Sequence, residues 1–293
     1  MASTPDLSPF HLAPDALALG GAADRFHRNI AALTLARDLS DSGRPATDAE
    51  RLSLAHYTAF GESALLNRLF RYDAAAARYV LLDTYAAILG PDEARHLRRA
   101  ALTAFYTPLD IAHAIGGAVT RLGLGALDRP RILEPAAGVG HFILTMPPAL
   151  RAHAEITAVE LDPTSARILG RIHPDVALHG GVGFEQADLP SGWFDLAISN
   201  VPFGELAVHD DFFAKALRLV RPGGIVVFLT SWGTLDKRSR SVRAHLAEHA
   251  DLLGAFRLPN GVFRQVSGSE SAADLIILQK KPRPASASPS WLA

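Results

Sequence analysis

Two patterns of apolar and polar positions divide the chain. Up to about residue 102 the apolar residues recur at helical spacing, as in "ADRFHRNIAALTLARDLS" (23–40), which predicts an amphipathic helix. "DSGRPATDAERLSLAHY" (41–57) reads as a loop followed by a helix, with Thr47 as N-cap and Glu50 three residues on in a capping-box spacing. "YDAAAARYVLLDTYAAILG" (72–90) reads as a third helix ending at Gly90, and "PDEARHLRRAALTAF" (91–105) as a fourth opening on proline. Residues 1–20 carry no period and read as irregular.

After about residue 128, short apolar runs alternate with helical segments. The predicted strands are 131–135, 155–161, 176–181, 194–200, 224–231, 252–258 and 274–280; the predicted helices are 139–151, 163–172, 209–220 and 238–249. Strand–helix alternation implies an α/β fold with a mostly parallel sheet covered on both faces. No helix separates the last two strands, so they are expected to form a hairpin at one edge, and the tail after 282 is expected to be disordered.

Composition narrows the chemistry. The 293 residues are 48% hydrophobic and contain no cysteine, which excludes disulfides, thiolate metal sites and cysteine nucleophiles. No apolar run is long enough to cross a membrane and no signal-peptide pattern opens the chain, so a cytoplasmic location is expected. A net charge of −1 is low for a protein that grips a long duplex through its phosphates, so nucleic-acid contact would be local or shared with a partner. The twelve histidines show no metal-ligand spacing, and Ser199 and Ser231 lack partners for a hydrolase triad.

Candidate chemistry gathers at the ends of the predicted strands. "LEPAAGVGHF" (133–142) sets Ala136, Ala137, Gly138 and Gly140 between a strand and a helix, where the backbone can approach a ligand closely. The loop does not match the dinucleotide glycine pattern. Glu134 would repel a pyrophosphate and suits a ligand with a cationic amine. Glu160 of "VELDP" is placed to accept both hydroxyls of a ribose; its alternative is a solvated acid, with Asp162 as the next helix's N-cap. Asp188 of "EQADLP" either accepts from an adenine amine, with Leu189 against the ring, or is a turn acid.

The motifs "FYTP" (105–108), "LEPAAGVGHF", "VELDP", "ADLP" and "SNVPFG", in that order, resemble those of S-adenosylmethionine-dependent adenine-N6 DNA methyltransferases of the gamma arrangement. The likeness is to type I restriction methylation subunits and to the methylase part of mobile-element helicase–methylase proteins. "GTLDKRSRSVRAHL" (233–246) and "RLPNGVFRQVSGSESAADLIILQKK" (257–281) also resemble the latter. The likeness spans roughly residues 100–281. It implies a seven-stranded Rossmann-like methyltransferase sheet over 101–282, behind a helical N-terminal region over 1–100, with 283–293 as a tail.

The resemblance also implies roles. Phe105, Tyr106, Thr107 and Pro108 would close over the methionine end of S-adenosylmethionine. Glu134 would face its amino group across Pro135, Ala136, Ala137, Gly138 and Gly140. Glu160 with Leu161 would hold the ribose, and Asp188, Leu189 and Phe142 the adenine. Asn200, Val201, Pro202 and Phe203 correspond to the Asn-Pro-Pro-Phe/Tyr motif, with valine in place of the first proline; the group needed there is a main-chain carbonyl, which valine keeps. Asn200 and the Val201 carbonyl would orient the exocyclic amine, and Phe203 would stack on the flipped base. Lys237, Arg238 and Arg240 read either as a phosphate-contacting patch or as a solvated helix start. Phe263 reads either as a second wall of the base pocket or as core. The expected partner is DNA. With about a dozen residues after Lys281, target recognition would be absent, come from residues 1–100, or come from a separate specificity or helicase chain. The alternatives are methylation of RNA or of a protein glutamine amide, and a subunit that binds cofactor or DNA without turnover.

Overall fold

The computed structural model describes residues 9–13, 15–17, 20–59, 72–73, 78–79, 106–202, 206–236, 241–263 and 272–284. Helix α1 (Ala22–Ser42) ends where Gly43 turns left-handed at φ 66° and donates to the Leu39 carbonyl at 3.1 Å. Helix α2 (Asp48–Ala55) starts at the predicted capping box: Thr47 Oγ1 accepts from the Glu50 N–H at 3.3 Å, and Glu50 Oε2 accepts from the Thr47 N–H at 2.8 Å. Hydrogen bonds from Arg44 and then from Thr47 hold Glu50 down at about 2.

The expectation of a helix through 72–90 is corrected where the chain is described. Strands β1 (Tyr72–Asp73) and β2 (Arg78–Tyr79) pair antiparallel, Tyr72 opposite Tyr79 and Asp73 opposite Arg78. The predicted helix from Pro91 lies outside the described residues.

Helix α3 (Leu109–Arg121) and a 3₁₀ turn (Leu124–Ala126) lead to strand β3 (Arg131–Glu134). The predicted helix 139–151 is two short ones, α4 (His141–Thr145) and α5 (Pro148–Arg151). Pro147 and Pro148 cause the break, since neither ring nitrogen can donate to a continuing helix. Then follow β4 (Glu155–Glu160), α6 (Pro163–Ile172), β5 (Ala177–Gly180), β6 (Phe194–Asn200), α7 (Leu206–Leu219) and β7 (Val220–Ser231). Helix α8 (Gly233–Asp236), helix α9 (Ser241–His249) and strands β8 (Ala250–Arg257) and β9 (Ala273–Lys280) complete the described elements.

The seven-stranded sheet has the order β5-β4-β3-β6-β7-β9-β8. β3 to β7 run parallel, and β9 lies antiparallel between β7 and β8, which is the predicted edge hairpin. β6 is buried from Phe194 through Ser199, as expected for a central strand covered on both faces. At its amino end Asp195 accepts from the Arg131 N–H at 2.8 Å and from Arg221 Nε at 2.6 Å, tying β3, β6 and β7 together. Helices α1 and α2 pack on α6, with Leu33, Leu39, Leu54 and Tyr57 against Ile168 and Ile172.

Candidate functional site

The sheet reverses its winding between β3 and β6, because β4 flanks β3 on one side while the chain crosses to β6 on the other. Open α/β sheets bind ligands at the carboxyl ends of the strands at such a point. Glu134, Glu160 and Asn200 end β3, β4 and β6 there.

The loop after β3 is folded by its own backbone. Ala137 N–H donates to the Val159 carbonyl at 3.0 Å, and Gly140 N–H to the Ala137 carbonyl at 2.8 Å. Gly138 and Gly140 take φ 55° and 85°, which other residues adopt at a cost. A Cβ at Gly138 would stand 3.1 Å from Tyr106 Cε1, so the tyrosine ring lies directly on this turn. Tyr106 is buried, edge-on to His141 at 5.2 Å, and its hydroxyl meets Ser165 Oγ at 3.3 Å. Ser165 Oγ in turn donates to Asp162 Oδ2 at 2.8 Å, the carboxylate that also caps α6 by accepting from the Ser165 N–H.

Two carboxylates meet at this loop. Glu160 Oε2 accepts from the Gly138 N–H at 2.6 Å and Oε1 from the Asp162 N–H at 2.8 Å. Burial outweighs these bonds and raises Glu160 to about 7. Glu134 is 2% exposed, and its Oε2 has no hydrogen-bond partner among the described residues. Burial first, and then the Glu160 charge, push Glu134 well above the ordinary carboxylate range. An orphaned buried carboxylate oxygen beside a second acid suits a ligand that brings a cation and hydroxyl donors.

Asn200 and Val201 are held against this loop from the other side. The register of β3 and β6 pairs Leu133 with Ala197, and Ser199 Oγ reaches the Ala136 carbonyl at 3.5 Å. Val201 is buried and donates its N–H to the Leu229 carbonyl at 2.9 Å; Pro202 follows, half-buried. Thr107 is buried, and Pro108 forms the N-cap of α3. Pro135 is buried at the end of β3, while Leu161 is 66% exposed at the rim. Asp188 is exposed and Leu189 buried in the loop before β6. Phe142 lies in the core with Ile132 and Ile156, and Phe263 is 1% exposed in the same cluster near Leu229 and Ile277. Phe105, Phe203, Lys237, Arg238 and Arg240 lie outside the described residues.

The structure adds residues that sequence reading did not single out. Ser165 joins Tyr106 to the α6 cap. Lys215 of α7 donates to the carbonyls of Phe184, Ala187 and Glu185 at 2.5, 2.7 and 3.2 Å, clamping the loop that carries Asp188. Trp232 stands 53% exposed just after β7, on the same sheet edge as Asn200. Their partners are distant in sequence, so no local signal marks the first two.

Residues 133–228 match the protein family described as "Methyltransferase domain". The architecture is that of class I S-adenosylmethionine-dependent methyltransferases, and S-adenosylmethionine is the cofactor of such a domain. A Listeria monocytogenes protein described as a methyltransferase of this class superposes with a TM-score of 0.55 at 16% identity, covering 90% of this chain and 91% of that one. A Vibrio vulnificus protein described as the modification subunit of a type I restriction enzyme superposes with a TM-score of 0.51 at 18% identity, covering 73% of this chain and 51% of that one. In sequence, the chain is 29% identical over 195 residues to Defense against restriction protein B of Escherichia phage P1, covering 61% of this chain and 8% of the phage protein. A match to a Novosphingobium aromaticivorans protein named as a phosphoribosylamino-methylideneamino imidazole-carboxamide isomerase is 32% identical over 124 residues, covering 38% of this chain and 48% of that one. The chain thus spans less than half the length of either of these sequence relatives. No helix among the described residues is long and apolar enough to cross a membrane.

Proposed function

We propose that this chain transfers a methyl group from S-adenosylmethionine to the exocyclic N6 amine of adenine in DNA. The observation that carries the reading is Asn200: it ends the buried strand β6 beside the glycine loop and directly precedes a buried Val201 fixed to Leu229. A residue so rigidly mounted at the sheet's reversal point suits a positioning task better than a surface turn.

The residues present fit the cofactor. Glu134 would receive its ammonium group and Glu160 its ribose hydroxyls. The Gly138 turn under Tyr106, with Thr107 and Pro108, would carry the methionine end, and Asp188 with Leu189 and Leu161 would flank the adenine. The bound cofactor supplies an electrophilic methyl on a sulfonium.

The chain's own task is to prepare the acceptor. An aromatic amine is a poor nucleophile because its lone pair is delocalised into the ring. The Asn200 side-chain oxygen and the Val201 carbonyl would each accept one of its N–H bonds, which draws the nitrogen towards a tetrahedral shape and aims the lone pair. Pro202 would stiffen the turn, and Phe203 would stack on an extruded base. The N-terminal region 1–100 and the domain 101–282 would act with a separate specificity or helicase chain, consistent with the near-neutral charge. The likeness to a phage protein named for defense against restriction supports DNA as the acceptor.

The test is incubation with methyl-labelled S-adenosylmethionine and, separately, mixed-sequence duplex DNA, RNA and bulk protein, followed by digestion and separation of the products. Label in N6-methyldeoxyadenosine supports the proposal. Label confined to RNA nucleosides or to glutamine would overturn the acceptor while leaving the fold class intact.

A further inference from the structure

Outside the cofactor crevice, the last turn of α9 brings together three side chains that suit a metal. His245, Glu248 and His249 hold the positions i, i+3 and i+4, which place them on one helical face. One ligand atom from each lies within 4.8 Å of the others, and the two imidazole rings stand 4.4 Å apart. A four-coordinate site with bonds of about 2.1 Å holds its ligands within about 4 Å of one another, a gap that small side-chain rotations on this surface close. The sequence reading of the histidines finds no such spacing; the helix supplies it.

The tautomer of His249 is fixed by its neighbour. Its Nδ1 lies 2.9 Å from the His245 carbonyl, which can only accept, so Nδ1 donates and Nε2 is the nitrogen left to offer a lone pair to a metal. Metal-binding histidines are commonly held in this way, with the second ring nitrogen bonded to a carbonyl. The helix end adds the negative pole of the backbone dipole, and Glu248 adds a carboxylate. Lys281, whose N–H donates to the His249 carbonyl at 2.9 Å, is occupied: its Nζ donates to the Ala247 carbonyl at 2.6 Å and pairs with Asp251 at 3.4 Å.

We infer that His245, Glu248 and His249 form an open, three-ligand site for a divalent transition metal of the zinc type. Two imidazoles and one carboxylate favour such an ion over calcium or magnesium, which prefer sets made of oxygen. The site sits apart from methyl transfer. It precedes Ala250, which pairs with Lys280, and β9 carries this end of the sheet to Ile225, four residues before the Leu229 that pairs with Asn200. Its metal therefore fastens the last turn of α9 and takes no part in the reaction.

The experiment uses the full chain stripped with chelator and titrated with zinc chloride by calorimetry, alongside thermal unfolding with and without zinc. The expected result is a single equivalent bound and a raised melting temperature, both lost in the His245→Ala/His249→Ala variant, with binding weakened about tenfold in Glu248→Gln. Zinc uptake that is absent, or equal in the wild type and the double-histidine variant, would overturn the inference.

Discussion

Replacing Glu160 with glutamine is expected to stabilise the ligand-free chain at high pH while weakening its hold on the cofactor. In the folded chain Glu160 is raised by burial from an ordinary 4.5 to about 7. Between those values the folded state binds more protons at this site than the unfolded one, so stability falls as pH rises through the window. At 1.36 kcal/mol per pKa unit, the full loss is about 3 kcal/mol. That is an upper bound, because the side chain is only partly buried and solvent screens it. Glutamine cannot ionise, so its pH-independent cost, one weakened bond to Gly138 or Asp162, cancels when two pH values are compared. The assay is urea unfolding of both proteins at pH 5 and pH 8. The wild type is expected to lose up to about 3 kcal/mol relative to Glu160→Gln between the two. An identical difference at both pH values would refute the claim that this carboxylate is held against its charge.

Gly138→Ala is expected to cost about 1–2 kcal/mol in stability and to displace Tyr106, since φ is 55° and the new methyl would stand 3.1 Å from its ring; unfolding and cofactor titration would detect both. Lys215→Met is expected to raise the cofactor Kd about tenfold with the saturated rate nearly unchanged, and Lys215→Arg to recover part of it, because the lost contacts hold a loop and not the reacting atoms. Asp195→Asn is expected to destabilise by about 1–3 kcal/mol, measured by denaturant unfolding. Burial acts to raise Asp195, but the Arg131 N–H and the Arg221 guanidinium overcome it and hold the group below its ordinary value; that contribution is present at neutral pH and lost in acid.

Much of this arrangement is legible in the residues. β6 runs over 194–200 as read, because a short, largely apolar run from Phe194 ends at Asn200 before the Pro202–Gly204 turn signal. Helix α6 runs over 163–172 as read, because Asp162 before Pro163 is a strong start signal and its carboxylate does accept from Ser165. β7 begins at Val220, four residues before the predicted start. "RPGG" carries turn residues, yet the strand absorbs it by a register shift between Phe194 and Leu196. The acids are visible because each ends a strand at the same edge. Their electrostatic coupling is not, since it depends on burial that only packing creates. The Tyr106–Ser165 and Lys215–Ala187 contacts join residues 59 and 28 positions apart, beyond the reach of any local pattern.

If the Asn200 edge and the Glu134–Glu160 loop form one methyl-transfer site, Asn200→Ala separates binding from transfer, and the measurement is its S-adenosylmethionine affinity together with the single-turnover rate of methyl transfer to duplex DNA. The affinity is expected to be unchanged and the rate reduced by roughly 100-fold or more, as follows when a positioned hydrogen-bond acceptor is removed. A variant that transfers methyl as fast as the wild type would contradict that single site.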